Sequence, residues 1–175
     1  MDLVPNPNPG AFHLLLAPSP LVGQVMLELA NRLAQRGPLC VVDGGNRLDI
    51  YGLARKARRD SPNLNGVLER IRVARAFSCR QMTALLDATP GGTPLLVFDL
   101  LVTFYDEDEA LDERKRLLGQ CLRRLQRLSL SGPVVVGAAL GPSQDDELVE
   151  MLALATGKIW HFEQDRGGET QPRLL

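Results

Sequence analysis

The residues best placed for chemistry in this chain are those that follow its apolar runs. Phe12-His13-Leu14-Leu15-Leu16 is followed by Ala17-Pro18-Ser19-Pro20-Leu21-Val22-Gly23-Gln24 and then by helical spacing. A buried strand, a tight turn and a helix in that order is the layout of a phosphate-binding loop, where backbone N–H groups at a helix amino terminus meet an anion. A Walker A loop reads G-x-x-x-x-G-K-[ST], with the lysine on the phosphates and the hydroxyl on magnesium. The run in register here is Pro18-Ser19-Pro20-Leu21-Val22-Gly23-Gln24-Val25. Gly23 remains, Gln24 stands at the lysine position and Val25 at the hydroxyl position. Pro18 and Pro20 each remove a backbone donor. Pro18, Gly23, Gln24 and Val25 thus outline a degenerate nucleotide pocket, and the loop argues against ordinary nucleotide hydrolysis.

Leu95-Leu96-Val97-Phe98-Asp99 is a second apolar run, closed by an acid. That is the Walker B arrangement, in which the carboxylate holds magnesium through water. Alone it is a weak signal, because many parallel strands end in an acid that caps a turn. Asp99 joins the pocket candidates on this ground. Val41-Val42-Asp43 leads into Gly44-Gly45-Asn46, either a phosphate-contacting nest or, more simply, a tight turn. The three cysteines, Cys40, Cys79 and Cys121, are scattered, and His13 and His161 are isolated, so no metal site is expected. Buried reduced thiols in a cytoplasmic protein are the simpler reading.

The elements that must hold these residues alternate along the chain. Apolar spacing from Leu21 to Leu33 predicts a helix stopped by Gly37-Pro38, and Leu39 to Asp43 predicts a buried strand. Arg47 to Arg59 reads as a helix with a basic outer side, and Asn65 to Arg70 as a short one. Ile71 to Ala76 alternates apolar and basic residues, as in a strand with one wetter face. A helix over Cys79 to Ala88, the strand to Asp99, a long amphipathic helix over Leu111 to Leu128, a strand over Val134 to Ala138 and a helix over Asp145 to Ala155 follow. Lys158 to Glu163 and Thr170 to Leu175 read as terminal strands joined through Gly167-Gly168. Repeated strand, crossover helix and strand argue for a mostly parallel sheet covered on both faces. Ligands of such sheets bind beyond the strands' carboxyl ends, so Asp43, Asp99 and the Pro18 to Gly23 turn should cluster. Residues 1–10, rich in Pro and Asn, read as a flexible arm, and residues 11–175 as one domain.

The order of segments resembles the recombinase branch of the RecA family. That family has a strand ending in Asp-Thr-Glu-Gly, here Asp43-Gly44-Gly45-Asn46. Its arginine-alanine strand matches Val67-Leu68-Glu69-Arg70-Ile71-Arg72-Val73-Ala74-Arg75-Ala76, followed by Gln81-Met82 and Leu85-Leu86. Leu95 to Asp99 matches its Walker B strand, Leu122 to Leu128 its long helix, and Arg166-Gly167-Gly168-Glu169-Thr170 its closing Arg-Gly-Glu-Thr hairpin. The resemblance implies a RecA-like P-loop NTPase fold, with a mostly parallel central sheet, helices on both faces and a C-terminal hairpin. It also implies self-assembly core against core, so a homo-oligomer is one expectation. The departures are specific. The catalytic glutamate falls on Gly45, the Walker lysine on Gln24 and the magnesium hydroxyl on Val25. Only Ala139 to Gln144 stands where the family places a DNA-contacting loop, and no amino-terminal DNA-binding domain is expected before the first strand.

Composition limits what remains. With 45% hydrophobic and 23% charged residues in 175, one soluble domain with a substantial core is expected. A formal net charge of -1 supplies no global field toward nucleic acid, and 5% aromatic residues leave little for base stacking. No signal peptide or membrane span is expected. The arginines from Arg55 to Arg80, and Arg114-Lys115-Arg116 with Arg123, Arg124 and Arg127, form either a DNA-facing patch or solvated helix faces, the second being simpler. Asp106 to Glu109 most simply favours a helix amino terminus. The resulting expectation is a non-catalytic recombinase-like paralog. It would act in DNA recombination or repair through a protein partner such as a recombinase or repair factor, with DNA as a further partner. It would have no catalytic residue, and ATP is not expected to bind. A nucleotide-binding regulator without hydrolysis, or an interaction module unrelated to DNA, are the alternatives.

Overall fold

The structure, a computed structural model, describes residues 6–105, 108–140, 146–163 and 171–174. The chain alternates strands and helices. β1 (His13–Pro18), α1 (Leu21–Arg36), β2 (Leu39–Gly44), α2 (Ile50–Asp60), α3 (Leu64–Glu69), β3 (Ile71–Ala76) and α4 (Cys79–Ala88) come first. β4 (Leu95–Phe98), a short 3-10 helix (Leu100–Phe104), α5 (Leu111–Ser129), β5 (Val134–Leu140), α6 (Asp146–Ala155), β6 (Lys158–Glu163) and β7 (Gln171–Leu174) follow. The strands lie in the order β3-β2-β4-β5-β1-β6-β7. β1 to β6 run parallel, and β7 is antiparallel to β6. The turn expected through Gly167-Gly168 lies outside the described residues.

The alternation of side chains along β4 shows why the sheet is covered on both faces. Leu95 and Val97 pack with Met82, Leu86, Leu118 and Leu125 from α4 and α5. Leu96 and Phe98 pack with Leu29, Ala30, Leu33 and Leu53 from α1 and α2. Every residue of β4 is buried, which is why it reads as an unbroken apolar run. β3 is the opposite case. As an edge strand it has only Ala76 fully buried, and Arg72 and Arg75 face outward, which accounts for its mixed pattern. Trp160 is a packing residue in β6, 2% exposed, with its ring stacked on His13 at 4.8 Å. Cys79 and Cys121 are buried free thiols, and burial pushes the Cys121 thiol up to about 11. In the amino-terminal segment Pro7 is buried and the Gly10 N–H donates to the Ser129 carbonyl.

Several boundaries differ from the sequence reading, among them the end of β1, which takes in Ala17 and Pro18 that read as turn, and two more bear directly on the site. α2 begins at Ile50 rather than Arg47, because the Asp43 carboxylate accepts the N–H groups of Arg47 and Leu48 and holds them in a turn. Asp49 then caps the helix by accepting from the Gly52 N–H. The acid-ended strand stops at Phe98. Asp99 adopts a left-handed conformation (φ 49°), and the 3-10 helix Leu100–Phe104 follows at once.

Arginines close several helix ends. Carbonyls in the last turn of a helix lack internal partners. Arg70 donates to Ala34 and Gln35 at the end of α1, both at 3.1 Å. Arg124 donates to Leu86 and Thr89 at the end of α4, at 3.1 and 2.7 Å. Arg114 donates to the Phe104 carbonyl at the end of the 3-10 helix. In the basic run of α5, Lys115 pairs with Glu147 and Arg116 with Glu113. The run is therefore mostly spent on the protein itself rather than laid out as a track for phosphates.

Candidate functional site

The parallel strands bring the loop after β1, the end of β2 and the end of β4 to one edge of the sheet. β5 lies between β1 and β4, and its Ala139 closes one wall. A cavity of about 230 Å³ opens there, lined by Ser19, Pro20 and Gly23 from the turn and α1, Arg47 from the loop after β2, and Phe98 and Asp99. The expected clustering of the turn with Asp99 is thus present. The first turn of α1 has no side-chain cap, and Pro20 stands at its cap position.

Of the pocket candidates read from sequence, Gly23 and Asp99 line this cavity. Pro18 is half-buried at the end of β1, in register with Leu140 of β5. Gln24 is exposed and lines a groove on the outer side, shared with Asp49 and Arg55 of the α2 region. Val25 is 8% exposed and packed into the core with Leu21 and Leu29. Gln24 and Val25 therefore do not face the cavity. On a helix, successive residues point about 100° apart, so once Gly23 and Met26 face inward, Gln24 must face out.

Asp99 is the chemically distinctive group. Its side chain is 17% exposed and its carboxylate lies 3.6 Å from Arg47 Nε. Burial raises its pKa above the ordinary carboxylate value; Arg47 and the Val102 N–H work the other way, and nearby Asp43 adds to the rise. An acid held protonation-prone in a cleft is a functional-site signature. A carboxyl raised in this way costs stability at neutral pH. That cost is relieved as pH falls through the raised value toward the unfolded one. We therefore expect Asp99→Asn to leave neutral-pH stability unchanged or slightly higher. It should also remove the gain that the parent shows just above the ordinary carboxylate range, measured by urea titrations across pH. A large loss of stability at pH 7 would make Asp99 a structural acid instead.

Asp43 plays a different part. It is fully buried, and besides the Arg47 and Leu48 N–H groups its Oδ2 accepts from Arg75 Nε at 3.3 Å. All of its partners are structural. Gly45, which the sequence resemblance compares with a catalytic glutamate, has φ +67°, and a Cβ there would meet Val102 Cγ1 at 2.8 Å. The space a base would need is taken by the 3-10 helix. Sequence reasoning missed Arg47 as a site residue by placing it on the outer face of a helix. The signal that could have found it is Asp43 itself, since an acid followed by Gly-Gly-Asn favours a side-chain-held turn.

The arginines between Arg55 and Arg80 are largely neutralised. Arg55 pairs with Asp49, Lys56 with Glu28, Arg59 with Asp60, and Arg80 with Glu109 and Glu113. Among the described residues no group of three or more His, Cys, Asp or Glu could hold a metal ion, and no helix is long and apolar enough to cross a membrane. The class that fold and site define is an α/β protein with a six-stranded parallel sheet and a cavity at its carboxyl edge. No family model matches the chain, and no curated protein matches it.

Proposed function

We propose that this chain is a non-catalytic, recombinase-like protein of RecA-like fold that acts in DNA recombination or repair by binding a protein partner. The observation that carries the reading is the carboxyl edge of the sheet. Loop, helix and acid lie together there, as this reading requires, while each part that would do chemistry is displaced or filled. Gln24 points out, Val25 is core, Gly45 is packed against Val102, and Asp99 is met by Arg47 of the same chain. The ordered resemblance from Val41 to Leu86 and the acid after β4 supply the recombinase component. The scaffold then serves as a surface for partners, with DNA or a second copy as further ones.

A nucleotide-binding regulator is the weaker reading. The cavity, at about 230 Å³, falls below the roughly 300–1,000 Å³ of small-molecule sites, and two prolines remove donors from the turn. Restoring the residue types should not restore the chemistry. We expect the triple variant Gln24→Lys, Val25→Thr, Gly45→Glu to show no ATP turnover, because Val25 lies in the core and Gly45 faces Val102. ATP turnover by the parent chain that vanishes in Asp99→Ala would overturn the proposal. Heat on titrating ATP or ADP would favour the regulator. Affinity purification of the intact chain from its own cells should recover a recombinase or repair factor, and recovery of unrelated partners alone would favour a module with no role on DNA.

A further inference from the structure

The opposite end of the sheet carries a second site, independent of the recombinase-like reading. Where the chain enters β1 and β6 and leaves α5, a groove of about 400 Å³ opens between the ends of α5 and α6. It is built to be rigid. The Thr156 hydroxyl and the Gly157 N–H both donate to the Phe12 carbonyl, and the Gln126 amide donates to the Ala155 carbonyl, tying α5 to α6. Arg123 and Arg127, one helical turn apart on α5, line it and are exposed. Neither has an acidic or carbonyl partner among the described residues. Arg124 between them is engaged with the end of α4. Among the described residues most other arginines and lysines are paired or donate to carbonyls; Arg58 and Arg72 are also without such a partner, but only Arg123 and Arg127 lie together in one groove.

The rim is apolar as well as cationic. Leu130, which lines the groove, is 71% exposed, and Leu154, outside the groove's lining but in the last turn of α6 beside Ala155, is 80% exposed. They are among the most exposed large apolar side chains of the described residues. Paired guanidinium groups recognise carboxylates in a fixed fork geometry, and exposed leucines beside them ask for an apolar partner surface. We propose that this groove docks an acidic, amphipathic segment of a partner protein. Carboxylates one helical turn apart meet Arg123 and Arg127, and apolar side chains cover Leu130 and Leu154. Nucleic acid fits less well. A phosphate backbone is held by several cations along a track, whereas this groove offers two, and its single aromatic residue, Phe12, is fully buried and presents no ring for base stacking.

The test uses the full chain and a fluorescent amphipathic peptide with glutamates one helical turn apart and leucines on the adjoining stripe. Its Glu→Gln counterpart, a short DNA duplex and inorganic polyphosphate serve as competitors. The expected result is saturable binding of the acidic peptide that weakens about tenfold in each of Arg123→Ala and Arg127→Ala. Arg58→Ala and Arg72→Ala, exposed arginines elsewhere with no acidic or carbonyl partner among the described residues, should bind as the parent does. The Gln peptide should compete poorly. All these positions are exposed, and a thermal melt of each variant checks that the fold is kept. Absence of peptide binding, or binding indifferent to Arg123 and Arg127, overturns the proposal. So does displacement by DNA or polyphosphate with dependence on the same arginines, which would make the groove a phosphate site.

Discussion

Gly44→Ala is expected to lower the stability of this protein by on the order of 3 kcal/mol. At Gly44 the ends of β2 and β4 approach backbone to backbone. A Cβ would fall against the Asp99 carbonyl and within 2.8 Å of the Phe98 carbonyl. Neither oxygen can give way easily. Phe98 is paired with Asp43 in the ladder, and Asp99 is held in its left-handed conformation ahead of the 3-10 helix. For a chain of this length the loss corresponds to a fall in melting temperature of about 10 °C. Gly23→Ala is the contrast. Nothing lies within 4 Å of a Cβ there and the residue is helical, so alanine should stabilise by roughly 0.5–1 kcal/mol. Gly23 should therefore be dispensable to the fold, while Gly44, directly after Asp43, should not. Equal effects at the two positions, read by urea denaturation, would show that the strand ends are not in rigid contact.

Asp43→Ala is the second large effect, with an expected loss of about 3 kcal/mol. The carboxylate is fully buried and accepts from Arg47 N at 2.7 Å, Leu48 N at 3.1 Å and Arg75 Nε at 3.3 Å. Removing it strands two backbone donors in the turn between β2 and α2, one of them fully buried. It also frees the loop that carries Arg47 to Asp99. The ion pair itself contributes the smaller share, because the Arg75 side chain is 38% exposed and solvent screens it. Arg75→Ala should therefore cost less than about 1 kcal/mol. The pair of variants separates the turn from the ion pair, and equal losses in both would place the energy in the salt bridge. Asp43→Ala also discriminates between the two strand-end acids. Loss of Asp43 should unfold the edge of the site, whereas Asp99→Asn should leave it standing.

Much of the fold was legible because it rests on local repeats. Leu95 to Phe98 and Val134 to Ala138 are buried on both faces, so each appears as a continuous apolar run whatever its neighbours are. Leu21 to Arg36 shows its buried face at helical spacing. Less of the site was legible. The 3-10 helix Leu100–Phe104 has the apolar character of a strand continuation, and what ends the strand is the left-handed turn at Asp99. The start of α2 was misplaced because Arg47 and Leu48 have ordinary helical character. Their N–H groups are claimed by an acid at the end of the preceding strand.

The amino-acid sequence by itself determined the alternation of strands and helices, and the residue types Gln24, Val25 and Gly45 at the positions that the RecA resemblance compares with a lysine, a hydroxyl and a glutamate. These are matters of residue identity and of periodicity, which survive without knowledge of neighbours. Only the tertiary structure decided which way the remaining groups face. Asp43 turns inward to hold a loop, Arg47 reaches Asp99, Val102 occupies the space beside Gly45, and Arg123 and Arg127 at the far end of the sheet have no acidic or carbonyl partner among the described residues. The Asp43 turn is local, but the Arg47–Asp99 and Gly45–Val102 contacts depend on segments brought together by the sheet order, in which β2 lies beside β4. Contacts between residues so far apart along the chain leave no period in the sequence, and so they had to be seen.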